Sequence, residues 1–287
     1  MNPFFFVSDL HGRVDRYRKL IELIRSERPA AVFMGGDLLP HRRISLRSPL
    51  TAHQSFIDSY LFPEFKRLKK EMNSYKMDIF LILGNDDEAA EEVKIRKGGE
   101  LGLWKYINFQ KSNLARYEIY GYCFVPPSPF LLKDWEKYDV SRFVDPGCIS
   151  PEEGFRSVPA DAIEIRNATI QEDLHKLTAG QKLDQAIFLF HSPPYQTRLD
   201  RASLDNRMVD HVPMDVHVGS IAIKRFIEER RPLITLHGHV HESTRLTGSW
   251  KEQIGNTWAF NAAHDGPELA VVKFDPEKPA EANLELY

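Results

Sequence analysis

Cysteine is scarce in this sequence: Cys123 and Cys148 are the only two in 287 residues. Two distant cysteines make no disulfide framework, so both read as reduced thiols and the expected location is cytoplasmic. A chain this long can bury a large core and needs no staples. Excess charge of one sign is missing as well. Lys and Arg number 38 against 41 Asp and Glu, giving a net charge of −3 and a pI near 6.4. A general polyanion binder carries a basic footprint, so nucleic acid is not the expected partner. A small anionic substrate is still allowed, because bound metals supply local positive charge. Long apolar runs are absent. The opening MNPFFFV gives way to polar residues at Ser8, too short for a signal peptide or a membrane span and without a basic start. There is no internal repeat, no low-complexity tract and no linker-like stretch, so a single domain over residues 1–287 is expected.

What is present is an alternation of strand and helix. Phe4 to Val7 reads as a buried strand, and Asp15 to Glu27 carries Tyr17, Leu20, Ile21 and Ile24 at helical spacing. Ala30 to Met34 and Ile79 to Leu83 are further strands, with an amphipathic helix over His53 to Met72 between them. Ala89 to Lys97 reads as a helix closed by Gly98 and Gly99. This order implies a parallel core with right-handed crossovers. Tyr117 to Val125 is a strand; residues 126–159, rich in proline and aromatics, form a long ordered excursion. Then follow a helix over Asn167 to Leu177, a strand over Ala186 to Phe190, a helix over Ser220 to Arg230 and a strand over Leu233 to Leu236. The tail, Ser243 to Asp275, reads as antiparallel strands, clearest at Thr257 to Asn261 and Leu269 to Phe274.

Polar residues gather where these strands end. Val7 is followed by Ser8-Asp9-Leu10-His11-Gly12, and Met34 by Gly35-Gly36-Asp37. Leu83 is followed by Gly84-Asn85-Asp86-Asp87, Phe190 by His191-Ser192-Pro193-Pro194, and Leu236 by His237-Gly238-His239-Val240-His241. Taken singly, each has an ordinary reading: an aspartate after a strand is a helix cap, Gly-Asp is a turn, a lone histidine is structural. Three histidines in five residues resist that reading, since each needs a polar partner. Ligands in open α/β sheets bind beyond the carboxyl ends of the strands, so the clusters are expected to converge on one sheet edge. Carboxylates, imidazoles and one amide oxygen suit Mn, Fe, Co or Zn, and the absence of thiolates argues against a structural zinc or an iron–sulfur site.

In this order and approximate spacing the residues resemble the calcineurin-like metallophosphoesterase superfamily: D-x-H at Asp9 and His11, G-D at Gly36-Asp37, G-N at Gly84-Asn85, a lone His191, and G-H-x-H at Gly238 to His241. The resemblance implies a four-layer α-β-β-α sandwich of two mixed β-sheets, with the site at the strand ends. It implies two divalent metal ions, with manganese the first expectation and iron, zinc or cobalt the others. Asp9, His11 and His241 would hold one, Asn85, His191 and His239 the second, and Asp37 would bridge them. A hydroxide between the metals would then attack the phosphorus of a small phosphorylated substrate.

One position departs from the pattern. The superfamily usually has a histidine after the asparagine, held to assist the leaving group; Asp86 stands there instead. An ordinary aspartate is ionised at neutral pH and donates no proton. Either the leaving group is good enough, or another residue supplies the acid, or Asp86 stays protonated, which nearby metals oppose. Activated phosphodiesters are therefore expected to turn over better than alkyl monoesters. Asp87 matches the acidic residue that orients the missing histidine, which leaves it without an evident task. His217, before a helix, is a candidate replacement acid, with a helix-start role as its ordinary reading. Arg13, Arg42 and Arg43 are candidate phosphate contacts whose ordinary reading is solvated surface; His237 reads as structural, and His264 has no assignment. Two other functions fit the same residues: a nuclease of the same superfamily, which the acidic pI disfavours, and a metal-containing nucleotide-binding or regulatory module with weak catalysis.

Overall fold

The computed structural model describes residues 2–41, 55–72 and 75–287. Arg42, Arg43 and the first residues of the expected 53–72 helix lie outside these. Two mixed six-stranded sheets pack against each other. The first is built on β1 (Phe4–Val7), β2 (Ala31–Gly35) and β3 (Asp78–Ile82), parallel and in register, with Phe6 opposite Phe33 and Phe33 opposite Phe80. β4 (Lys105–Tyr106) continues the parallel set; β13 (Ala270–Phe274) and β14 (Asn283–Leu286) close the other side antiparallel. The second sheet has β6 (Tyr117–Tyr122), β7 (Ala186–Phe190), β10 (Ile234–His237) and β12 (Thr257–Asn261) as parallel neighbours. Its antiparallel edges are β5 (Gln110–Leu114) and β11 (Lys251–Ile254). β8 (Met208–Val209) and β9 (Val212–Pro213) form a small separate hairpin.

Strand alternation sorts the side chains into layers. Phe4, Phe33, Phe80 and Phe274 on one sheet meet Tyr117, Ile187, Leu189, Leu236 and Phe260 on the other in one buried cluster. Ring contacts cross the interface at Phe4–Tyr117 (6.2 Å) and Phe260–Phe274 (5.6 Å). Burial of each such side chain contributes about 1.5–3 kcal/mol, so the pairing of the two sheets is strongly determined. The opposite faces take helices. Tyr17, Leu20, Ile21 and Ile24 of α1 (Val14–Glu27), with Phe65 and Leu68 of α2 (Phe62–Glu71), join the first sheet's core. α3 (Glu92–Glu100) follows β3. Tyr120, Tyr122, Phe188 and Phe190 pack under α5 (Ile170–Leu177) and α6 (Ile221–Arg230). This is the expected four-layer α-β-β-α arrangement.

Several boundaries differ from expectation for local reasons. Gly98 and Gly99 lie inside α3 rather than ending it, because a Cβ at Gly98 would collide with the Trp104 indole that packs there. The expected 167–177 helix begins only at Ile170 as α5, where the Thr169 hydroxyl caps it by accepting from Glu172 N at 3.1 Å, and an unexpected short helix, α4 (Ala162–Asn167), precedes it. Ser243 to Thr247 is a short helix, α7, not a strand. β12 runs antiparallel to β11 but parallel to β10. Among the described residues, no helix is long and apolar enough to cross a membrane.

Candidate metal centre

The five polar clusters leave β1, β2 and β3 in one sheet and β7 and β10 in the other, so they converge where the ends of two sheets meet, not along one sheet edge. Backbone hydrogen bonds lace these loops together beyond the strands. Asp9 N donates to Gly36 O (3.0 Å), His11 N to Asp37 O (2.8 Å) and Gly12 N to Leu38 O (2.9 Å). Gly238 N donates to His191 O at 2.9 Å, joining the loops of the second sheet. The lacing holds unusual backbone: Asp9 (φ 57), His11 (φ 48), Asp37 (φ 51) and His239 (φ 72) are all left-handed. Such residues cost roughly 1 kcal/mol or more each and cluster at functional sites. Gly36 also requires its φ of 97, and a Cβ on it would lie 2.6 Å from His191 Nδ1.

Two compact groups of metal-capable atoms result. Asp9, His11 and His241 form one and Asp37, His191 and His239 the other, each with its ligand atoms within 4.8 Å of one another. In the first, His241 Nε2 lies 3.1 Å from Asp9 Oδ1 and 3.2 Å from His11 Nε2. In the second, His191 Nε2 faces Asn85 Oδ1 at 3.0 Å and Asp37 Oδ2 at 3.3 Å. Asp37 also groups with His11 and Asp86, so it is common to both sides. The His191 ring is fixed by Nδ1, 2.8 Å from the Gly35 carbonyl. A carbonyl only accepts, so Nδ1 carries a proton, and Nε2 of the neutral ring points its lone pair at two oxygen acceptors.

That arrangement calls for positive charge, and the electrostatics of the surrounding groups point the same way. Burial alone would lower His191, yet the charge and hydrogen bond of Asp37, with Asp9 behind, push it up to about 10. Burial likewise opposes protonation of His241, but its hydrogen bond to Asp9 and that carboxylate's charge push it up to about 9. Burial would raise Asp9; the hydrogen bond and charge of His241, then His191 and His11, hold it well below the usual carboxylate range. Desolvation first, then the His191 charge, lowers the half-buried His239 to about 4, so its ring is neutral and able to ligate. The proton bound by His191 and by His241 marks where a cation's charge fits. Carboxylate, imidazole and amide donors with no thiolate are the chemistry of a divalent transition metal, so the residues fit the dimetal centre the sequence implied.

Asp86 sits at the rim. Its backbone N–H donates to Asp37 Oδ1 (2.8 Å), and its carboxylate lies 3.8 Å from His11 Nδ1 and 3.5 Å from His41 Nε2. Burial first, then the charges of Asp37 and Asp87, push it up to about 8. Cations in the two groups would pull the other way and favour the carboxylate. Asp87 has a clear task. Fully buried, it accepts hydrogen bonds from Leu38 N (3.1 Å), Leu39 N (2.7 Å) and Gly84 N (2.9 Å) and so fixes the Asp37 loop to the Asn85 loop. The excursion 126–159 packs against the same place: Trp135 Nε1 donates to Asp87 O at 2.8 Å, and Ala89 N donates to Asp134 at 2.7 Å.

Other expected residues lie elsewhere. His217 pairs through Nδ1 with Asp200 (2.8 Å), its backbone N–H donates to Asp215 (2.8 Å), its backbone bridges to Arg201 and its ring lies against Tyr195, none of them in the candidate ligand groups. Arg13 turns outward to Asp15 at 3.0 Å. His237 is structural, bonded to Ser192 O and Thr235 Oγ1, and burial lowers it to about 4. His264 pairs with Glu268 at 3.0 Å. Two residues escaped the sequence reading. Arg16 is buried and donates to Asp9 O and Gly266 O, both at 2.7 Å, supporting the Asp9 turn from behind. His41 stands beside the candidate arginines, and its signal in the sequence is an imidazole four residues after the candidate ligand Asp37.

Comparison with known proteins agrees with this geometry. Among solved structures, one superposes with a TM-score of 0.59 at 16% identity, covering 100% of this chain and 99% of its own. The protein TT1561 of Thermus thermophilus matches with a TM-score of 0.53 at 15% identity, over 100% and 98%. A dimetal phosphatase from Danio rerio matches with a TM-score of 0.54 at 11% identity, over 99% and 95%. At these identities the likeness shows the fold. No curated protein matches the sequence. The pattern of the calcineurin-like phosphoesterase family matches residues 3–243, which takes in every ligand candidate from Asp9 to His241. The chain therefore belongs to the calcineurin-like phosphoesterase family and is a metal-dependent phosphoric ester hydrolase.

Proposed function

We propose that this enzyme hydrolyses small phosphodiesters. Asp9, His11 and His241 would hold one divalent cation, Asn85, His191 and His239 a second, and Asp37 both, with manganese the first metal to test. Bound there, the cations supply the Lewis acidity that activates water and neutralises the phosphoryl oxygens. The chain's own contribution is rigid placement. Gly35 O sets the tautomer of His191, Asp87 ties two ligand loops together, and His239 N donates to both Asp9 oxygens at 3.2 Å.

The observation that carries the diester preference is Asp86. Where relatives by motif place an imidazole, a carboxylate lies within 4.0 Å of both His11 and His41 at the rim. A fixed negative charge there repels a monoester dianion more than a diester monoanion, since the Coulomb energy scales with ligand charge. The free cysteines Cys123 and Cys148 and the acidic balance support a cytoplasmic enzyme whose partner is a small molecule. The core shared between the two sheets supports a single domain over residues 1–287.

The test compares bis-p-nitrophenyl phosphate with p-nitrophenyl phosphate under Mn²⁺, because the two share a leaving group and differ in charge. Faster turnover of the diester is expected, and equal rates would refute the preference. Asp37→Ala and His239→Ala should each lose turnover and bound metal with an unchanged circular dichroism spectrum. Full metal content in either variant would remove the site as drawn.

A further inference from the structure

We propose that His41 protonates the leaving oxygen, doing from the β2 loop what the histidine after the motif asparagine does elsewhere, with Asp86 as its positioning residue. The inference rests on the phosphoester-hydrolysis reading above. Asp86 and His41 are brought together by a stiff segment. Leu38 N and Leu39 N are both pinned by the Asp87 carboxylate, and Gly12 N holds Leu38 O at 2.9 Å. Pro40 then restricts the backbone next to His41, and it fits only because Gly12 has no Cβ to strike its ring. The outcome is His41 Nε2 at 3.5 Å from Asp86 Oδ2, while His11 Nδ1 lies 3.8 Å from the same oxygen. Asp86 thus links an imidazole of the first ligand group to one that belongs to neither group. At 46% side-chain exposure, His41 can meet both substrate and solvent. His217, the other candidate, is held in a separate cluster by Asp200, Asp215 and the Tyr195 ring, and none of these partners is Asp86 or a member of the candidate ligand groups.

In the step, the bond from phosphorus to the leaving oxygen breaks and its electron pair goes to that oxygen. The oxygen takes the proton of the His41 imidazolium and departs as an alcohol or phenol. The incoming water forms the new phosphorus–oxygen bond and releases one proton to solvent, from which His41 is recharged. General acid assistance of this kind contributes about 10²–10⁴-fold, and more for poorer leaving groups.

The experiment uses the Mn²⁺-loaded enzyme and two diesters of equal charge, methyl p-nitrophenyl phosphate and methyl phenyl phosphate. His41→Ala should lower kcat on the phenyl ester by about 100-fold and on the p-nitrophenyl ester by less than about 5-fold. Added imidazole should recover part of the phenyl ester rate, which a purely structural role would not allow. Asp86→Asn should shift the two rates in the same unequal way with bound metal unchanged. Equal losses on both esters, no rescue by imidazole, or metal loss from His41→Ala or Asp86→Asn would overturn the assignment. If the wild-type enzyme turns over neither ester, nor any p-nitrophenyl ester with Mn, Fe, Co or Zn, the hydrolase reading itself falls and the proposal with it.

Discussion

Asp87→Ala is the change whose cost is best defined by the structure. The Asp87 side chain is fully buried and accepts hydrogen bonds from Leu38 N, Leu39 N and Gly84 N at 2.7–3.1 Å. Alanine leaves three buried N–H donors without a partner, and each such donor costs about 1–3 kcal/mol. The Asp37 charge repels Asp87 and, with burial first, holds its carboxyl up at about 7, so losing the carboxylate gives some of that cost back. A net loss of about 3 kcal/mol follows, a large part of a typical domain's ~5–15 kcal/mol. The same donors fix the Asp37 loop against the Asn85 loop, so metal affinity should fall as well. Urea unfolding of the metal-free proteins reads the first effect, and metal titration by calorimetry reads the second. Asp87→Asn keeps the shape and one acceptor oxygen and should fall between wild type and alanine. An Asp87→Ala protein within about 0.5 kcal/mol of wild type, binding metal normally, would refute the reasoning.

Lys133 and Glu136 form a fully buried pair 2.5 Å apart, and Lys133 also donates to Ser128 O at 2.9 Å. Lys133→Met should cost about 3–5 kcal/mol at neutral pH, because it strands a buried carboxyl. Glu136 already stands near 7, raised by burial against the pull of Lys133, and loss of the cation raises it further. A raised carboxyl forfeits stability as pH climbs through its folded pKa, so the loss should be larger at pH 8 than at pH 5 by thermal unfolding; the reverse trend would contradict the pairing. Gly36→Ala places a Cβ 2.6 Å from His191 Nδ1 at a φ of 97 and should cost about 2–4 kcal/mol and weaken metal binding, checked by urea midpoint and calorimetry.

The candidate ligand residues were legible because each follows a run of apolar strand residues, and the phase of polar after apolar is set by chain geometry alone. Asp9, Asp37, Asn85, His191, His239 and His241 all follow that rule. The sheet partition was not legible from periodicity: Phe6, Phe33 and Phe188 are equally apolar, and only the packing of Phe4 on Tyr117 and of Phe274 on Phe260 decides which strands face each other. Short edge strands such as Asn283–Leu286 escaped because half-exposed strands carry a weak pattern. Gly98 misled because a glycine that admits a tryptophan ring looks the same in sequence as one that ends a helix. His41 and Arg16 escaped for a related reason. Their contacts come from residues far away in the chain, Asp86 for the first and Asp9 and Gly266 for the second.

Anomalous diffraction at the manganese edge from Mn²⁺-soaked crystals addresses the metal centre most directly. Two peaks about 3.5–4 Å apart are expected, one among Asp9, His11 and His241 and one among Asn85, His191 and His239, with Asp37 touching both. A single peak, or peaks away from these side chains in crystals whose enzyme is active, would contradict it.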